Sequence, residues 1–142
     1  MRWLPLALSL SLALGACDHA MSSLPSPPAS ARALDGGGAY ESRMGQVVAD
    51  MRRRLAQHGL GAIEVEAYQL PSDATWEQVA AHYGALPAGL QRVEDIAGPD
   101  SGFAYRWRVW RDGDRAYAVV FVDDPVPGQD VDFKVLLIAT PK

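Results

Sequence analysis

The sequence predicts an α+β domain: an antiparallel sheet of about four strands with two helices packed on one face, in the order α-β-α-β-β-β. Three observations carry this expectation. Met44, Val47, Val48, Met51 and Leu55 recur at the offsets of one helical face. Residues 61–70 alternate between apolar and polar, as a half-buried strand does. Two strand-like runs, 103–111 and 115–122, flank Asp112-Gly113, a favoured two-residue hairpin turn. With 49% apolar and 21% charged residues over 142 positions, the chain has the composition of one such domain rather than of a disordered or fibrous protein.

The first helix is expected over 40–58, with Gly59 as its C-terminal stop. Arg52, Arg53 and Arg54 fall in its last turns, where positive charge complements the helix dipole. Consecutive residues point in different directions around a helix, so these arginines read as a solvated end rather than a ligand patch, and His58 as a capping or surface residue. In the strand that follows, Ile63, Val65 and Ala67 face one way and Glu64, Glu66 and Tyr68 the other. Two carboxylates about 7 Å apart on one strand face could serve glycoside chemistry, but an exposed face accounts for both. Pro71-Ser72-Asp73 then introduces a second helix with Asp73 or Thr75 as N-cap and a Thr75 to Gln78 spacing that suits a capping box. Trp76, Val79, Ala80 and Tyr83 form its apolar face, His82 lies off that face and is expected in solvent, and Gly84, Pro87 and Gly89 end the helix.

Residues 86–101 form a turn-rich connection carrying Glu94, Asp95 and Asp100, the kind of segment that serves as a binding loop. In the hairpin, pairing Arg111 with Asp114 puts Phe103, Tyr105, Trp107 and Val109 on a face with Ala116, Ala118, Val120 and Val122. With Trp76, Val79, Tyr83, Val135 and Leu137, the larger residues of this set make the expected core. The opposite face carries Arg106, Arg108 and Trp110 beside Arg115, Tyr117, Val119 and Phe121. Arginine and aromatic residues are enriched at binding hot spots, so Arg106, Arg108, Trp110, Arg115 and Tyr117 are the candidate binding residues. Stacking of arginine on the rings is the plain structural alternative, and Val119 and Phe121 need cover from another element or from a partner. Asp123, Asp124, Asp130 and Asp132 gather around Pro125, Pro127 and Gly128, a spacing that does not match a calcium loop. Residues 133–140 are apolar on both faces, which places them as a central strand.

The N-terminus is organised differently. Arg2 precedes an apolar run over 3–13, too short for a transmembrane helix of about 20 residues, and small residues follow at Gly15 and Ala16. Leu14-Gly15-Ala16-Cys17 resembles the lipobox of bacterial lipoproteins. The resemblance covers about the first 18 residues and implies that 1–16 are a leader removed before Cys17. It also implies that the Cys17 thiol takes a diacylglycerol and that its freed amine is acylated. Asp18 is similar to the inner-membrane retention signal of enteric lipoproteins, whereas other sorting rules would deliver the protein to the outer membrane. The competing reading is a secreted protein cut at Ala13-Leu14-Gly15. Residues 17–39, rich in Ser, Pro and Gly, are expected as a tether reaching about 25 Å as a coil and about 60 Å if extended, with the globular domain over 40–142.

These features sort the function classes. A formal net charge of −4, one unit more negative once Arg2 leaves with the leader, argues against non-specific nucleic-acid binding. Cys17 is the only cysteine, which rules out an intramolecular disulfide and a cysteine metal cluster. His19, His58 and His82 fall at the tether, a helix end and a helix flank, and no nucleophile and base, metal set or phosphate loop is recognisable. The expectation is therefore a non-enzymatic binding module without a cofactor. It would face the periplasm, held to the membrane through lipid on Cys17, and act as an envelope accessory or an immunity or inhibitor lipoprotein with a protein partner. The alternative is a small-molecule or metal-ion binder using the acidic loops, with a hydrolase ranked below both.

Overall fold

The computed structural model describes residues 24–36, 38, 40–84, 89–97 and 105–142, without the side chains of 94–97. Cys17, Asp18, His19 and Phe103 lie outside the described residues. The elements are β1 (Arg32–Ala33), α1 (Glu41–Ala56), β2 (Ile63–Pro71), α2 (Trp76–His82), β3 (Gln91–Ala97), β4 (Arg106–Asp112), β5 (Arg115–Val122) and β6 (Phe133–Pro141). They build one antiparallel sheet in the order β1-β2-β6-β5-β4-β3.

This corrects the expected four-stranded sheet and its α-β-α-β-β-β order: the sheet has six strands. One added strand, β1, falls where a tether was expected, and the other, β3, falls in the expected turn-rich connection. The placement of both helices on one face is also corrected. Successive residues of a strand point to opposite faces, and β5 is buried along both. Ala116, Ala118, Val120 and Val122 pack with Met44, Val47, Met51 and Leu55 of α1. Tyr117, Val119 and Phe121 pack with Trp76, Val79 and Tyr83 of α2. The helices therefore sandwich the sheet, because one amphipathic helix cannot dry both faces of an apolar strand.

Local chemistry sets each boundary. At the end of α1, Gly59 at φ +73° lets the Leu60 N–H reach the Leu55 carbonyl (2.9 Å) and the Gly59 N–H reach that of Ala56 (3.1 Å), the paired bonds of a Schellman stop. Thr75 caps α2 as a full capping box: its Oγ1 accepts from the Gln78 N–H (3.2 Å), and Gln78 Oε1 accepts from the Thr75 N–H (3.1 Å). β6 is a central strand, paired with β2 on one side and β5 on the other.

The hairpin pairs Asp112 with Arg115, so the turn is Gly113-Asp114 rather than Asp112-Gly113. Gly113 has φ +61° at the first central position, where a type II′ turn requires glycine, and Asp114 is spared a positive φ. The Arg111 Nε and Nη2 atoms both donate to the Gly113 carbonyl (3.0 and 2.9 Å) and brace the turn. Relative to the expected register the pairing moves by two residues, which leaves every side chain on its expected face. Tyr105, Trp107, Val120, Val135 and Leu137 are accordingly buried on the α1 side, while Trp76, Val79 and Tyr83 are buried on the α2 side.

Residues 32–34 run along the free edge of β2, and residues 24–27 before them lie over β2, β6 and β5. Arg32 and Ala33 pair with Gln69 and Tyr68, and the Leu34 N–H donates to the Ala67 carbonyl (3.0 Å). Leu24 and Ala31 pack on the α2 side and Leu34 on the α1 side, so this segment wraps the sheet edge from one face to the other. Of the stretch expected as tether over 17–39, its second half thus lies against the domain.

Candidate functional site

The face expected to carry an open arginine and aromatic array is roofed in part by α2. The Arg106 and Arg108 guanidinium carbons lie 5.4 and 5.7 Å from the centroid of the Trp76 ring. Arg106, whose side chain is half exposed, also reaches Glu77 of α2 at 3.6 Å. Trp110 is 5% exposed and Tyr117 2%, so both rings belong to the packed layer that α2 covers. The cover that Val119 and Phe121 require comes from within the chain. Arg106 is thus tied to α2, and Arg108 and Arg115 are partly buried at the margins of that layer.

α2 has only seven residues, and two clefts open at the margins of the layer it covers. One, of about 270 Å³, is lined by Gly84, Leu90, Arg92, Arg108 and Trp110. The other, of about 390 Å³, lies between residues 24–27 and the strands, and takes in Glu66 and Tyr68 of β2, Arg115 and Tyr117 of β5, and Ile138 and Thr140 of β6. Its outer wall is fixed by a bond from α2: His82 Nε2 stands 2.7 Å from the Ser26 carbonyl oxygen. A carbonyl only accepts, so Nε2 carries the proton in that bond. His82, expected simply in solvent, is exposed but pins the N-terminal segment.

Inside the larger cleft the Tyr68 hydroxyl donates to Glu66 Oε2 (2.6 Å). That bond holds the Tyr68 phenol above its ordinary pKa, with burial and the carboxylate charge adding in the same direction. Tyr83, at the end of α2, is fully buried, and its hydroxyl finds no hydrogen-bond partner among the described residues. Burial raises its pKa to about 12, with a smaller contribution from Tyr68.

A second polar cluster lies on the other side of the sheet. Asp50, 5% exposed, sits in the otherwise apolar stripe of α1. It accepts from the buried Tyr105 hydroxyl, from Arg53, and from Arg54 Nε at 3.0 Å. Burial, and then the bond to the carboxylate, push the Tyr105 phenol well above its ordinary pKa. Both carboxylate oxygens of Asp50 have a partner here, which makes the cluster a structural clamp between α1 and the lead into β4. A cleft of about 270 Å³ at the end of this helix is lined by Arg53, Arg54, Gln57 and His58.

Arg92 and residues 24–27 join the site although no sequence period singles them out. Glu66 and Tyr68 are on the expected strand face, but only the pairing of β2 and of β5 with the shared neighbour β6 brings them toward Arg115. In the acidic connection, Asp123 pairs with Lys134, whose Nζ also lies 5.8 Å from the Phe121 ring centroid. Among the described residues no group of three or more His, Cys, Asp or Glu is placed to hold a metal ion. No protein-family model, curated protein or solved structure matches this chain.

Proposed function

We propose that this protein is a lipid-anchored binding module of the bacterial cell envelope, tethered through Cys17, facing the periplasm and acting without catalysis. The observation that carries the location is Leu14-Gly15-Ala16-Cys17 at the end of a short apolar run. Two or more acyl chains at one cysteine give durable anchoring where a single chain gives only marginal binding. The described helices add no other route, since none is long and apolar enough to cross a membrane. The margins of the α2-side face support the binding role: Arg92, Arg108 and Arg115 line two clefts beside the packed rings of Trp110 and Tyr117, on a chain whose overall charge is negative. Arginine beside aromatic walls is the composition in which binding energy concentrates.

Labelled palmitate should enter the full chain in a bacterial host and be lost on Cys17→Ser. Label retained in that variant, or absent from the wild type, overturns the anchor. For the binding role, Arg92→Ala combined with Arg108→Ala should remove a partner retained by the wild type in an envelope pull-down, with the thermal midpoint moved by only a few degrees. An unchanged set of partners overturns the assignment of that surface.

A further inference from the structure

We infer that the cleft between the N-terminal segment and β2, β6 and β5 binds a short linear peptide with both termini free, its carboxylate on Arg115 and its ammonium on Glu66. This inference rests on the reading of the protein as a binding module and names the ligand class for one of its clefts.

The two charges share one cavity yet do not serve each other. Arg115 and Glu66 both line the cleft, and among the described residues neither makes a salt bridge. The strand register explains why. Glu66 pairs with Ile138, which pairs with Val119, and Arg115 stands four residues further along β5. Two strand spacings of about 4.8 Å and four residues of about 3.3 Å separate their Cα atoms by about 16 Å along the diagonal. Strand side chains stand roughly perpendicular to the sheet, so at that separation the two do not meet. Allowing about 3 Å for a hydrogen bond at each end leaves about 10 Å, the span of about three residues of an extended peptide at about 3.3–3.6 Å each.

The cavity fits this occupant in size and lining. Its volume of about 390 Å³ is toward the lower end of small-molecule sites, which run from about 300 to 1,000 Å³. Arginine presents a planar fork suited to bidentate recognition of a carboxylate. At the other end, Tyr68 holds Glu66 through Oε2, so the carboxylate is oriented before a ligand arrives and Oε1 is left to face an ammonium. Between the poles the register places Ile138 and Thr140, with Pro25 and Pro27 also lining the cleft, a wall for small apolar side chains. The Pro25 to Pro27 wall is itself held by the His82 bond to Ser26, which limits how far the cleft can gape.

The test titrates trialanine into the full chain and follows heat by calorimetry, with N-acetyl-trialanine and trialanine amide as controls. Trialanine should bind saturably, and capping either terminus should weaken it at least about tenfold. Arg115→Gln should weaken trialanine by a similar factor and erase its advantage over the amide, whereas Glu66→Gln should erase its advantage over the acetylated form. Both side chains lie at the cleft wall, so the circular dichroism spectrum and thermal midpoint of each variant should match the wild type. No saturable heat with trialanine, equal affinity for the capped peptides, or wild-type affinity in Arg115→Gln overturns the inference. Recovery of trialanine intact separates this question from the larger one. Hydrolysis that depends on Arg115 would uphold the cleft while overturning the non-enzymatic reading, and loss of palmitate label would overturn the anchor alone.

Discussion

Replacing Asp50 by Ala removes the acceptor for a hydroxyl that the fold has buried, and the size of the effect follows from the surroundings of each partner. Tyr105 is 2% exposed, so its hydroxyl cannot turn to water, and an orphaned buried donor costs about 1–3 kcal/mol. The Arg53 side chain is 69% exposed and recovers its hydration, while Arg54 is 27% exposed and loses more. Together these ion pairs add about 1 kcal/mol. The expected loss is therefore about 2–4 kcal/mol, which for a domain of this size lowers the thermal midpoint by at least about 8 °C. Tyr105→Phe alone removes a bond to a charged acceptor, about 1.5–3 kcal/mol. In the double variant no donor is left without its acceptor, so the combined loss should fall short of the sum by about 1–2 kcal/mol. Urea denaturation of the wild type, both single variants and the double variant measures this directly. Losses that add to within about 0.5 kcal/mol would show that the two groups do not act as a unit and would refute the clamp.

The remaining predictions concern other parts of the fold. Tyr83→Phe removes a buried hydroxyl without a partner among the described residues and should leave stability at neutral pH unchanged or slightly raised. The alkaline limb gives a sharper readout. Tyr83 has a folded-state pKa of about 12 against an ordinary 10.0, so its contribution is intact below pH 10 and is lost as pH rises toward 12. The slope is up to about 1.4 kcal/mol per pH unit per phenol. Tyr105 acts in the same direction, and Tyr83→Phe should flatten the decline seen by denaturation between those pH values without abolishing it. Gly113→Ala meets no atom within 4 Å of its new Cβ but holds φ at +61°, so chemical denaturation should show a loss of about 1 kcal/mol from backbone strain alone. Trp76→Ala strips the roof from the α2-side layer and should cost about 3–5 kcal/mol; a loss below 1 kcal/mol in the same assay would mean that α2 is not what dries that face.

What could be read in the sequence was whatever local periodicity encodes. The α1 stripe, the capping box of α2, the alternation in β2 and the doubly apolar β6 each announce themselves within ten or so residues. The two added strands do not, for different reasons. In β3 the register slips between Arg92 and Glu94, and a bulge destroys the period of two that marks a strand. β1 has only two residues, both exposed, and exists because the edge of β2 supplies hydrogen bonds to it. The placement of α2 opposite α1 was latent in β5, where Tyr117, Val119 and Phe121 are as apolar as the alternating set between them. The need for a cover could be read from those three residues, but its source could not. The same holds for the site. Arg115 and Tyr117 could be placed on a common face, yet their nearness to Glu66 depends on strand order, and the wall of residues 24–27 depends on an edge contact that no composition signals. Asp50 shows the converse limit: a charge in an apolar stripe looks like a solvent position until its partner Tyr105, 55 residues away, is brought beside it.

The wrapped N-terminal segment would change the geometry of the proposed attachment. A free stretch from residue 17 to residue 39 would let the domain sweep a wide volume above the bilayer. With residues 24–34 held against the domain, only seven peptide links separate Cys17 from Leu24, at most about 25 Å when fully drawn out. A lipid on Cys17 would then moor the domain within about its own diameter of the headgroups. The mooring point would be Leu24, which lines the 390 Å³ cleft, so the cleft itself would be held close to the bilayer surface.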